Sequence, residues 1–246
     1  MEKYFKAKRI YEINIMGINK TLLFCLLWMF PFIIKGQSLK HEAAVDSNYH
    51  NYLYDNRLAY FNGLPAAKGG IVFLGNSITH WGDWAELFKN AKVRNRGIAG
   101  DISFGVLARL DEITVSNPEK IFIMIGVNDI GRKIPTSYTI RNYEKILLQL
   151  KNRSKRTRIF MQSILPINDS LINRKYYTGT NTEIRNLNEE LKKLALKHTI
   201  TYIELHSLFT DASGQMLAKY TYDGIHLTAE GYLLWINYLK KKRYCN

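Results

Sequence analysis

The sequence offers little from which covalent or metal staples could be built. Its 246 residues hold two cysteines, Cys25 inside an apolar run and Cys245 next to the end, so no disulfide framework can be drawn. Apart from His226, the histidines (His41, His50, His80, His198, His206) are scattered, and none forms an HExxH or other metal-ligand spacing. A metallohydrolase is therefore disfavoured, and no metal or other cofactor is expected. Acidic residues are short as well: 21 against 35 Lys and Arg, for a net charge of +14. Such a surplus first suggests nucleic acid or an anionic membrane as partner. It is spread out, however, with +5 on residues 1–40 and +9 on residues 41–246. The two local clusters, Lys151 to Arg158 and Lys240 to Arg243, sit at a helix end and the chain end without interleaved aromatics, so no nucleic-acid partner is expected. Repeats and low-complexity stretches are absent, and 46% hydrophobic with 23% charged residues is an ordinary globular balance. A chain of this length buries roughly 70% of the surface its unfolded form exposes, so it needs no staple to fold.

The apolar run Thr21 to Ile34, TLLFCLLWMFPFII, is fourteen residues long, short of the roughly twenty that a membrane span wants. It fits the apolar region of a secretory signal peptide, with Lys20 before it and Gly36 marking the cleavage region. The stretch before it carries Glu2 and Glu12, and a start at Met16 would leave the compact leader MGINK. The reading is a signal peptide over residues 1–37 and an exported protein, periplasmic or secreted, with no stable membrane span after cleavage. An uncleaved N-terminal anchor is the alternative. Residues 38–69 form an N-terminal helical extension packed on the main domain, which covers 70–246.

From residue 70 the chain alternates short apolar runs with helical patterns. Ile71 to Leu74, Lys92 to Arg96, Ile121 to Ile125, Ile159 to Ile164 and Thr201 to Leu205 read as parallel strands covered on both faces. Trp84 to Asn90, Phe104 to Val115, Tyr138 to Lys151, Glu183 to Lys197 and Ala229 to Lys240 read as helices. The alternation predicts an α/β fold, a three-layer α/β/α sandwich on a parallel sheet of about five strands. Ligands bind such sheets outside the carboxyl ends of the strands. Four polar segments fall there: Gly75 to Ser77, Gly97 to Asp101, Gly126 to Asp129, and Asp223 to His226 before the last helix.

A serine nucleophile needs a base within reach and a third group that orients the base. Asp223 and His226, three residues apart, fit within one turn, so that the carboxylate can hold Nδ1 while Nε2 faces Ser77. The Ser77 and Gly100 backbone N–H groups and the Asn128 side-chain amide are the candidate oxyanion donors. Singly, Ser77 reads as a helix cap, Asn128 and the glycines as turn residues, and Asp223 with His226 as a capping pair. Their order, spacing and shared rim favour the site.

With those residues in place, the chain resembles the SGNH or GDSL hydrolases. GNSI around Ser77, NRGIAGD with Gly100, GVND with Asn128 and DGIH with Asp223 and His226 look like the four blocks of that family and span residues 75–226. The resemblance implies a flavodoxin-like fold and metal-free ester hydrolysis, with Ser77 as nucleophile, His226 as base and Asp223 as its orienting partner. It also implies an oxyanion hole of Ser77, Gly100 and Asn128. One position departs: the usual GDS is Gly75, Asn76, Ser77 here. A GxSxG elbow is absent at Ser77, which disfavours the α/β-hydrolase architecture.

Asn76, Trp81 and Asp101 are the candidate substrate contacts, although for Asp101 and Asp129 a loop-holding role is favoured. The wording of the blocks looks like the sialate O-acetylesterase-like and platelet-activating-factor acetylhydrolase-like branch, which implies a short acyl group on an O-acylated carbohydrate. The loop from Pro166 to Thr182, polar with Tyr176 and Tyr177 among its residues, suits a sugar better than an alkyl chain. A lysophospholipase or thioesterase of the same fold is the alternative, and a noncatalytic glycan-binding module the alternative of another class. Monomer and dimer both stay open.

Overall fold

The computed structural model describes residues 45–65 and 67–245. The expected leader, its cleavage near Gly36, the start at Met16 and Cys25 lie outside the described residues. Five strands, β1 (Ile71–Gly75), β2 (Val93–Gly97), β3 (Lys120–Met124), β4 (Arg158–Gln162) and β5 (Thr201–Ile203), pair in parallel in the order β2-β1-β3-β4-β5. The helices around them are α1 (Tyr52–Gly63), α2 (Ser77–His80), α3 (Trp84–Phe88), α4 (Ser103–Ala108) and α5 (Leu110–Thr114), followed by α6 (Val127–Gly131), α7 (Thr136–Arg153), α8 (Asn181–Lys197), α9 (His206–Phe209) and α10 (Ala229–Lys241). Because β2 and β3 flank β1 on opposite sides, the chain changes direction at β1. The crevice above β1 and β3 is then the place where such sheets collect their functional loops.

The strands are apolar because both faces are covered. Every residue of β1 and β3 is buried, whereas Arg94, Asn95 and Arg96 of edge strand β2 are partly exposed. Phe73, Phe122 and Phe160 stand side by side in register on β1, β3 and β4, with ring centroids 4.9 and 4.7 Å apart. Trp84 from α3 stacks on Phe73 at 3.9 Å, and Trp235 from α10 meets Trp84 edge-on at 4.9 Å. This aromatic row welds one helical layer to the sheet through contact area and ring geometry together.

Most expected boundaries shift by one or two residues, and two of the changes have a structural cause. The helix expected over Phe104 to Val115 is broken into α4 and α5 at Arg109, whose backbone leaves the helical region at φ −113°, ψ 24°. That side chain is wholly buried rather than solvated, and its partners belong to the site described below. The last strand ends at Ile203 rather than Leu205, because the amides of Leu205 and His206 both donate to the Ser163 hydroxyl, each at 2.8 Å, and leave the ladder.

Helix α1 starts at Asn51, whose side chain accepts from Tyr54 N at 3.0 Å. Its Tyr54 and Phe61 pack with Ile98 in a small second core, and the Tyr54 hydroxyl donates to Gly105 O at 2.9 Å. Ile98 lies in the loop after β2, so α1 braces that loop directly. Replacing Tyr54 with Phe removes this buried bond and strands the Gly105 carbonyl, which should cost about 1–2 kcal/mol in urea unfolding. Tyr52, 85% exposed on the same helix, should tolerate Ala within about 0.5 kcal/mol.

Candidate active site

Ser77 is the first residue of α2, directly above β1. The preceding residue, Asn76, caps the helix by accepting from Ile78 N at 3.0 Å. So short a helix leaves most of its carbonyls without internal partners, and three side chains satisfy them. Tyr232 OH donates to Ile78 O at 2.7 Å, Trp84 Nε1 to Thr79 O at 2.7 Å, and Asn95 Nδ2 to His80 O at 2.8 Å. Gly97 permits this close seating, since a Cβ there would lie 2.2 Å from His80 N. The nucleophile candidate is thus held by elements far apart in sequence.

His226 Nε2 lies 2.9 Å from Ser77 Oγ, and His226 Nδ1 lies 2.5 Å from Asp223 Oδ2. The other carboxylate oxygen, Oδ1, accepts from His226 N at 2.8 Å and Ile225 N at 2.9 Å. Partial burial opposes ionisation of Asp223, but the hydrogen bonds from the His226 ring and from the two backbone amides outweigh it and hold the carboxyl below its usual range. An ionised Asp223 fixes the proton on Nδ1 and leaves the Nε2 lone pair facing Ser77. That is the arrangement a hydroxyl needs to lose its proton while attacking.

Beside this chain, the N–H groups of Ser77 and Gly100 donate to no acceptor among the described residues. Gly100 takes φ +79°, a conformation open to glycine, and no atom lies within 4 Å of where its Cβ would be. Asn128 Nδ2 donates one hydrogen to Asp101 O at 2.8 Å, which leaves the second available. Three donors are therefore left without a full set of partners among the described residues.

The structure moves two of the expected substrate contacts elsewhere. Asp101 is 1% exposed, and its carboxylate pairs with the buried guanidinium of Arg109 at 2.9 Å. Asn76 is likewise 1% exposed and is used up as the cap of α2. Trp81 is open to solvent, but it stacks on His80 at 4.5 Å and lines a cleft with Arg57, Trp84 and Asn95 that contains none of Ser77, Asp223 or His226. Asp129 holds loops, as favoured: it accepts from the Ser103 amide and hydroxyl and from Thr139 Oγ1. Tyr177 is buried, with its hydroxyl donating to Val127 O at 3.1 Å.

Sequence reasoning missed Arg109 altogether, and it placed His80 at the border of the site without its role. Arg109 donates from Nε to Asp101 Oδ2 at 3.0 Å and from Nη2 to Gly75 O at 3.1 Å, so it ties the segment before Ser77 to the Gly100 loop. His80 Nδ1 accepts from Ala99 N at 3.1 Å, and burial, with Arg57 nearby, pushes its pKa down to about 4. A neutral His80 can accept that bond throughout the physiological range.

The profile of the GDSL-like lipase/acylhydrolase family matches residues 73–234. A solved structure from Streptococcus pneumonia, assigned as a platelet activating factor, is similar at a TM-score of 0.71 and 30% identity, covering 77% of this chain and 92% of that one. The N-acylneuraminate cytidylyltransferase of Escherichia coli is 26% identical over 85% of this chain and 48% of its own, so this chain spans about half the length of that relative. The bovine platelet-activating factor acetylhydrolase IB subunit alpha1 is 26% identical over 66% of this chain and 69% of its own.

Asp101→Asn would remove the nearer of the two carboxylates that face Arg109, at 2.9 Å, and leave Glu112 at 3.5 Å. The expected cost is at least about 2 kcal/mol of stability in urea unfolding, accompanied by a fall in turnover, because Gly75, Gly100 and Asn128 share this anchor.

Proposed function

The chain belongs to the GDSL-like lipase/acylhydrolase family, and from that premise we propose that it is a serine esterase that removes a short acyl group, acetyl foremost, from an O-acylated carbohydrate. The observation that carries the reading is the unbroken chain from Ser77 Oγ through His226 to Asp223, at 2.9 and 2.5 Å, with unused N–H donors beside it. Ser77 Oγ attacks the acyl carbonyl as its proton passes to His226 Nε2, and Asp223 steadies the imidazolium that results. The negative charge on the former carbonyl oxygen is received by Ser77 N–H, Gly100 N–H and Asn128 Nδ2. Donors fixed in place beforehand stabilise it without reorganising. Collapse of this intermediate breaks the ester bond, and His226 returns its proton to the departing alkoxide. Water then repeats the sequence on the acyl-enzyme, activated by His226, and releases the acid and free Ser77.

Two observations support a small acyl group on a sugar. Among the relatives, one is named as an acetylhydrolase and another for N-acylneuraminate, an acylated sugar acid. The polar loop with Asn168, Asp169, Ser170 and Asn173 also packs onto the Asp223–His226 turn, with Asn168 N donating to Gly224 O at 2.8 Å. The proposal places the enzyme outside the cytoplasm, on the apolar run Thr21 to Ile34.

Hydrolysis of p-nitrophenyl esters from acetyl to decanoyl by the full chain tests this. Rates should fall with chain length, and Ser77→Ala should lose at least about 1,000-fold in turnover while folding normally. Asn128→Ala should lose on the order of 100-fold. A preference for long chains would favour a lysophospholipase, and equal rates for wild type and Ser77→Ala would remove the catalytic assignment.

A further inference from the structure

The Asp223–His226 turn is closed by an antiparallel bridge between Thr221 and Leu227, and Tyr222 N donates to His226 O across it. That pairing sets the Tyr222 ring alongside the imidazole, with centroids 5.9 Å apart and planes 17° from parallel. Tyr222 is 62% exposed, and its hydroxyl has no hydrogen-bond partner among the described residues. Tyr232, by contrast, is buried and holds α2 through its hydroxyl. Tyr222 therefore stands at the reacting centre with no structural bond that would account for its side chain.

The chemistry says which half of a substrate lies there. A departing alkoxide takes its proton from His226 Nε2, so the ester's alcohol oxygen must come within hydrogen-bond reach of that nitrogen, roughly 3 Å. The carbon skeleton of the alcohol thus begins beside the imidazole, on the side of Ser77 that carries the Asp223–His226 turn and Tyr222. The oxyanion donors lie elsewhere, on the loops after β1, β2 and β3. We infer that the exposed Tyr222 ring is the platform on which the alcohol half of the ester rests, and that it takes the C–H face of a sugar ring.

A pyranose has an apolar C–H face edged by hydroxyls. It matches a flat, open aromatic surface, and the polar loop after β4 reaches the turn that carries Tyr222 where Asn168 N donates to Gly224 O. The alcohol half of a lysophospholipid is instead an open-chain glycerophosphodiester with no ring face to lay on the tyrosine, and its one acyl chain belongs to the other half of the ester. The inference rests on the esterase reading above, and it adds the residue that selects the alcohol.

The test compares two acetate esters, a mono-O-acetylated methyl glycoside and ethyl acetate, with full-length wild type, Tyr222→Ala and Tyr222→Phe. Tyr222→Ala should raise KM for the glycoside roughly tenfold, the size of one lost aromatic contact, with kcat nearly unchanged. Its kcat/KM on ethyl acetate, which has no ring to stack, should stay within about twofold of wild type, and Tyr222→Phe should resemble wild type on both esters. Equal losses on the two esters would overturn the inference, because they would make Tyr222 a prop for His226. Unchanged kinetics on both would overturn it as well. A wild type that cleaves ethyl acetate and not the glycoside would instead overturn the sugar reading together with this inference, and one that cleaves neither would overturn the esterase reading itself.

Discussion

One buried ion pair, Asp101 with Arg109, sets the geometry on which the site depends. The guanidinium reaches the Asp101 carboxylate and Gly75 O, the carboxylate also accepts from Ile102 N, and the Asp101 carbonyl receives Asn128 Nδ2. Segments after three different strands thereby meet at one residue. Both side chains of the pair are fully enclosed, so desolvation consumes much of their attraction; burial pushes the Asp101 pKa up to about 6 against the pull of Arg109. A pair of this kind contributes little net stability. What it supplies is position: an apolar pair of the same volume would fill the space but could not hold the Gly75 carbonyl and the Ile102 amide at fixed angles.

The same requirement explains the shape of α2. A longer helix after β1 would carry its unpaired last carbonyls away from Ser77. With four residues it needs help there, and Tyr232, Trp84 and Asn95 give it from α10, α3 and β2. Since Trp84 also stacks in the aromatic row over Phe73, the orientation of Ser77 is coupled to the most tightly packed part of the core. Loosening that row would move the nucleophile before it unfolded the domain.

This division decides how much was legible in the sequence. The strands were legible because burial on both faces makes them continuous apolar runs, and Ser77 and the Asp223–His226 pair were legible because a strand end and a spacing of three residues are local signals. Gly100 and Asn128 followed from their place after strands. Arg109 was not legible: in sequence it lies within an amphipathic helical pattern, and only the pairing of β1 with β2 brings Gly75 and Asp101 within its reach. The roles of His80 and Tyr54 were hidden for the same reason, since their partners Ala99 and Gly105 lie 19 and 51 residues away. Asp101 was open to two readings, a substrate contact and the favoured holder of loops, because a polar residue on a rim looks the same in sequence whether its side chain faces the ligand or the protein.

The departure at position 76 follows from the same electrostatics. Asn76 is enclosed, and its Oδ1 makes the bond to Ile78 N that an aspartate would make. The amide therefore preserves the cap. A carboxylate there would be a further buried anion in a region where Asp101, Asp129 and Glu112 already have their pKa values raised by burial. Arg109 is the buried cation that Asp101 and Glu112 share, and Asp129 relies on neutral hydroxyl and amide donors. With asparagine the cap is kept while Arg109 stays committed to Asp101, so the exchange of the family's carboxylate for an amide leaves the placement of Ser77 and of the donors around it intact.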